Sequence, residues 1–82
     1  MKFEPYTRVT LQTDLPQHKL CRGDLATVVE FHPGRPGQEP GYSLEVFNAI
    51  GQTVAVVTVG ESQIDALRAD EILHARTLSA AA

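Results

Sequence analysis

The sequence predicts a small, mainly β domain, curled into a barrel of about five strands with one short helical turn. Three observations carry that prediction. Short runs of alternating apolar and polar residues recur and are rich in Val and Thr. Gly, Pro, Asn and Asp separate these runs at hairpin-like spacing. With 82 residues the chain forms one domain, residues 1–82, since a chain this short removes only about 60–65% of its unfolded surface from water and supports a single core.

Tyr6 to Leu11 alternates Tyr6, Arg8 and Thr10 with Thr7, Val9 and Leu11, which is a strand pattern. Thr13 to His18 reads as a turn-rich loop, in which Asp14 can bond neighbouring backbone and Pro16 removes an amide donor. Gly23 and Asp24 mark a tight turn before a second strand, Leu25 to His32. Pro33 to Gly41 holds three of the five prolines and three of the six glycines, so it is an exposed, mobile loop at a hairpin tip. Tyr42 to Phe47 and Thr53 to Val59 are the next strands, joined by a turn in which Gly51 supplies positive φ.

Beyond Gly60 two patterns compete. Ile64, Leu67, Ile72, Ala75 and Leu78 approximate helical spacing, while Ile72, His74, Arg76 and Leu78 alternate with Leu73, Ala75 and Thr77. Ser62, with Asp65 three residues on, suggests a capped helical turn over Ser62 to Leu67. A fifth strand over Ile72 to Leu78 then closes the sheet, and Ser79 to Ala82 is a frayed tail.

Composition narrows the function classes. The chain is 43% hydrophobic and 21% charged, an ordinary globular balance. Its net charge is −3 and its seven Lys and Arg are scattered, which disfavours nucleic acid and anionic membrane surfaces as partners. Cys21 is alone, so no intramolecular disulfide forms, and neither a signal segment nor a long apolar span is evident. A cytoplasmic location is the resulting expectation.

Leu15-Pro16 with Leu20 (L-P-x-x-x-L), Gly23 to Glu30 (G-D-x-x-T-V-V-E) and Tyr42 to Phe47 (a Y-x-x-E-F type strand) occur in an order and spacing that resembles a family of small bacterial proteins of unknown function. The resemblance runs from about residue 6 to 67. It departs from the family at Ala26, often a second glycine, and at the longer Pro/Gly loop. It implies an SH3-like barrel and brings no catalytic residues. Gly23-Asp24 also looks like the opening of the KOW element of some ribosomal and transcription proteins, without the accompanying basic residues.

No constellation for catalysis is visible. His18, His32 and His74 share no i,i+3 or i,i+4 spacing and no acidic cluster joins them, so no metal site and no cofactor are expected. Cys21 beside Arg22 has no evident base, and Ser43 and Ser62 lack a G-x-S-x-G context. The chain is therefore not expected to be an enzyme.

The strands carry apolar residues on both faces. Tyr42, Leu44 and Val46 share one face with Ala55, Val57 and Val59, which leaves Phe47, Val54 and Val56 outside, with Ile50 nearby. That outer set, with Ile72 and Leu78, is the expected oligomer or partner interface: either the C-terminal segment covers it or a second subunit does. A protein-binding, non-catalytic module, an accessory or regulatory subunit and a homo-oligomer by this logic, is the leading expectation, with Leu20, Arg22, Phe31 and Tyr42 contacting the partner. The alternative is a weak single-stranded nucleic-acid binder that stacks bases on Tyr6, Phe31 or Tyr42.

Overall fold

Alternation and β-branching build a sheet of five antiparallel strands in the computed structural model, which describes residues 1–78. They are β1 (Arg8–Leu11), β2 (Leu25–His32), β3 (Gly41–Phe47), β4 (Thr53–Gly60) and β5 (Ile64–Ala66). Their spatial order is β4-β3-β2-β1-β5. The expected fraying of Ser79 to Ala82 lies outside the described residues.

The sheet is open. Closing a barrel requires a ladder between the two end strands, and β4 pairs with β3 alone while β5 pairs with β1. The expected barrel, and the SH3-like architecture implied by the resemblance, is therefore not formed. Ile72 to Leu78, read as the closing strand, make no ladder. The fifth strand comes earlier, at Ile64–Ala66, where a helical turn was expected. The helical turn itself is a 3-10 turn over Glu61–Gln63, and Ser62 does not cap it. Instead the Gln63 side chain reaches back to accept the Gly60 N–H at 2.7 Å.

Turn chemistry places the central strands where their sequence indicates. Gly23 has φ +92°, and Asp24 accepts the Cys21 N–H at 2.8 Å, so the chain reverses into β2 at Leu25. Between β3 and β4 the Asn48 carboxamide accepts from Ile50 N and Gln52 N, while Gly51 takes φ +85°. The first strand begins later than the alternation suggests, because Tyr6 sits in a left-handed turn with φ 68°. The Pro/Gly loop is tied down at its end: Glu39 accepts from Ser62 N and Ser62 Oγ, and the Pro40 carbonyl accepts from Glu61 N.

One sheet face is buried. Val9, Leu11, Ala26, Val28, Tyr42, Leu44, Val46, Val57 and Val59 line it in register across the strands. With no second layer, the covering groups come mainly from outside the long strands: Phe3 from the N-terminal segment, Leu15 and Leu20 from the β1–β2 connection, and Ile64 from β5. Leu15 and Leu20 exchange backbone hydrogen bonds across the 3-10 turn Pro16–His18, whose exit is Lys19 at φ 57°. That small clasp turns both leucines inward.

Candidate interaction surface

The other face of β2, β3 and β4 is set by the same period of two. The ladder puts Glu45 across from Val56 and Ser43 across from Thr58, while Phe47 meets Thr53 past a bulge at Val54. This outer face divides in two. Toward the Pro/Gly loop it is polar, with His32 Nε2 2.7 Å from Ser43 Oγ, which lies 3.2 Å from Thr58 Oγ1. Toward the β3–β4 hairpin it is apolar, with Phe47, Val54, Val56 and Ile50 all exposed. Phe47 is 43% and Val56 61% accessible. Between the halves Glu45 accepts a short hydrogen bond from Thr53 Oγ1.

The histidine and serine contact arises from cross-strand register, so no linear motif announces it. It does not make a catalytic triad. Activation of a serine needs an acid on the second imidazole nitrogen, whereas Glu30 lies 3.9 Å from the same Nε2 that meets Ser43.

The apolar half borders a groove of about 760 Å³ between the hairpin tip and the C-terminal segment at His74 to Leu78. One clamp holds that segment. Arg76 donates through Nε and Nη2 to both carboxylate oxygens of Asp24, and through Nη2 to the Lys19 carbonyl at 3.1 Å. Burial pushes the Asp24 carboxyl up, but Arg76 and the Cys21 N–H outweigh it and hold the group below its ordinary value. The same pairing raises the Arg76 guanidinium.

The residues expected at a partner interface are not brought together as one surface. Phe47 and Val54 line the groove and Leu78 faces them, but Ile72 is 93% exposed and covers nothing. The C-terminal segment thus folds back without burying the apolar face. Of the residues expected to touch a partner, Leu20 and Tyr42 are interior, at 2% and 0% accessibility, and have no surface to offer. Phe31 is half-buried with its ring 5.3 Å from that of Tyr42, and Arg22 is exposed, its N–H held by Asp14. Tyr42 is equally unable to stack on a base. Cys21 is half-buried, and His18 and His74 are exposed on separate segments. Among the described residues no three His, Cys, Asp or Glu side chains converge to hold a metal ion. No helix among them is long and apolar enough to cross a membrane.

Tyr42 has a role its position in the sequence did not suggest. Its hydroxyl donates to Glu61 Oε2 at 2.6 Å and accepts from Lys2 N at 3.0 Å and Phe3 N at 3.3 Å. The Phe3 ring packs edge-on against it, with centroids 5.5 Å apart. One buried side chain therefore joins the N-terminal segment, β3 and the turn before β5. Burial, and then the bond to the Glu61 carboxylate, push the hydroxyl pKa up against the weaker opposing effect of the two amides.

No curated protein matches the chain, and no solved structure does. One family profile matches, described as "Domain of unknown function (DUF4926)", over residues 6–66. Those bounds take in all five strands and stop before the segment clamped by Arg76. The chain belongs to this family of unknown function, whose architecture here is an open five-stranded antiparallel sheet.

Proposed function

We propose that this domain is a non-catalytic interaction module that binds a protein partner through the outer face of β3 and β4, as an accessory or regulatory subunit. The observation that supports it is the contiguous exposure of Phe47, Ile50, Val54 and Val56 at the hairpin end of the sheet. Exposed apolar side chains gathered in one place, rather than scattered, are the usual mark of an association surface. The scattered cations and net charge of −3 favour protein over nucleic acid as the partner. A lone, half-buried Cys21 fits a reducing, cytoplasmic setting.

Co-purification of the tagged protein with the products of neighbouring genes tests the proposal. A partner captured by the parent chain and lost with Phe47→Ser supports it. Recovery of nothing, or equal recovery with Phe47→Ser, counts against it.

A further inference from the structure

Strand β4 is both the edge of the sheet and the border of the apolar patch. Its outward side has no strand beside it among the described residues, so alternate N–H and C=O groups along it lack a ladder partner. Edge strands are ordinarily protected by charge, proline, brevity or a bulge. From Thr53 to Gly60 there is no charged residue and no proline. The bulge at Val54 affects one end and leaves Ala55 to Gly60 regular. The opposite edge differs: β5 has three residues, one of them Asp65.

We propose that the occupant of the β4 edge is a second copy of this chain, paired antiparallel along β4 about an axis at Val56 or Val57 to give a two-fold dimer with a continuous ten-stranded sheet. This rests on the interaction-module proposal and specifies its partner and mode of contact.

Two arguments favour a second copy over an unrelated strand. The first is electrostatic. A partner selected by charge needs charges to meet, and this edge offers none. An uncharged β-branched strand is matched by one like itself, and registers centred on Val56 or Val57 set only Ala, Val and Thr against each other over the central residues. A two-fold axis there uses the same patch on both subunits and closes the assembly.

The second argument is area. A stable dimer needs about 600 Å² or more from each subunit, roughly a tenth of this chain's 5689 Å². Val54 and Val56 stand on the edge strand itself, so a ladder there also sets their outer-face side chains beside those of the partner's β4, while Phe47 on β3 and Ile50 in the hairpin flank the contact. A backbone ladder alone is weak, and Val54 and Val56 add an apolar part to the contact.

The test is light scattering with amide hydrogen exchange on the full chain across a concentration series. The expected result is twice the monomer mass at high concentration and slowed exchange of outward β4 amides that disappears on dilution. Val56→Lys is the diagnostic variant. Its lysine lies across from Glu45 on β3, so the fold is retained, while two lysines face each other or sit diagonally across the two-fold contact. It should weaken self-association at least tenfold with unchanged circular dichroism.

A strict monomer at high concentration with fast-exchanging β4 amides overturns the dimer. So does a dimer that Val56→Lys leaves intact. If a gene-neighbour product is still bound and Phe47→Ser abolishes that binding, the interaction-module proposal stands while self-pairing fails.

Discussion

Replacing Tyr42 by Phe removes one oxygen from a site with no solvent access and leaves the ring's shape nearly unchanged. The cost can be followed bond by bond. The Phe3 N–H is buried and would lose its acceptor, at about 1–3 kcal/mol for an unsatisfied donor. The hydroxyl's bond to the Glu61 carboxylate is charge-assisted, worth roughly 1.5–3 kcal/mol when shielded and less here because Glu61 is half-exposed and water can take its place. The Lys2 N–H is only partly buried, so hydration offsets most of its loss. Together these give a destabilisation of about 2–4 kcal/mol, a large share of the roughly 4–12 kcal/mol available to a domain of this size.

At about 4–8 °C per kcal/mol, the midpoint of thermal unfolding should fall by at least about 8 °C. Urea denaturation at neutral pH, with both midpoint and slope recorded, checks the free energy directly. Glu61→Gln keeps an acceptor and loses only the charge, so it should cost about 1 kcal/mol or less. A Tyr42→Phe midpoint within about 3 °C of the parent would refute the claim that this hydroxyl holds the N-terminal segment to the sheet.

The same tyrosine predicts an alkaline limit. Its folded pKa is raised above the ordinary 10.0, so the folded state keeps a proton that the unfolded chain releases. Stability is thus unaffected below about pH 10 and declines as pH rises toward the folded value, a decline that Tyr42→Phe should lack in pH-dependent urea titrations. Asp24 acts at the other extreme: its pKa is held below 3.8 in the folded state, so its contribution is complete above that value and disappears as pH falls through the folded one. Arg76→Ala should reduce this acid dependence and cost at most about 1 kcal/mol at neutral pH, because solvent reaches the pair. Chemical denaturation from pH 2 to 7 measures both. Finally, a Cβ at Gly34 would lie 2.5 Å from the Gln38 carbonyl oxygen and 2.7 Å from that of Glu39, whereas at Gly37 it meets nothing and only the positive φ is unfavourable. Gly34→Ala should therefore accelerate proteolytic cleavage of the Pro/Gly loop, and Gly37→Ala should cost only about 1 kcal/mol with little change in cleavage.

The legible parts of the fold were those encoded by local chemistry. Leu25 to His32, Tyr42 to Phe47 and Thr53 to Val59 alternate over several residues and end at turns whose Gly, Asn or Asp side chains are used in the structure. The division of β3 and β4 into an inner set and an outer set follows from the same period and agrees with the burial of Tyr42, Leu44, Val46, Val57 and Val59. β5 was hidden because Ile64–Ala66 is too short for any period to show, and the polar Glu61 to Asp65 stretch resembles a helix start. Its partner, β1, lies more than fifty residues away in sequence, and it occupies the side of β1 that Ile72 to Leu78 would otherwise have met. Leu20 and Tyr42 were misplaced for a related reason. The inward turn of Leu20 depends on its hydrogen bonds to Leu15 across a left-handed Lys19, and the Tyr42 hydroxyl is satisfied by residues 39, 40 and 19 positions away. Such partners leave no local pattern.

An open sheet has two faces and two edges to protect from water and from other chains, and this chain treats them unequally. The inner face is closed over by Phe3, Leu15, Leu20 and Ile64. The β5 edge is short and carries Asp65. On the outer face, the C-terminal segment is fixed at the β2 turn by Arg76 and Asp24, at the far side of the groove from Phe47 and Val54. Among the described residues, what is left unprotected is one corner, where the uncharged β4 edge meets Phe47, Val54 and Val56. Either deficit alone is common in soluble domains, since single exposed apolar residues and short free edges need no partner. Their coincidence on one strand is different, because the ladder that satisfies the edge brings apolar surface into contact in the same step. An association at β4 is therefore expected to bury backbone and side chains together, and a charge at position 56 should abolish both kinds of contact at once.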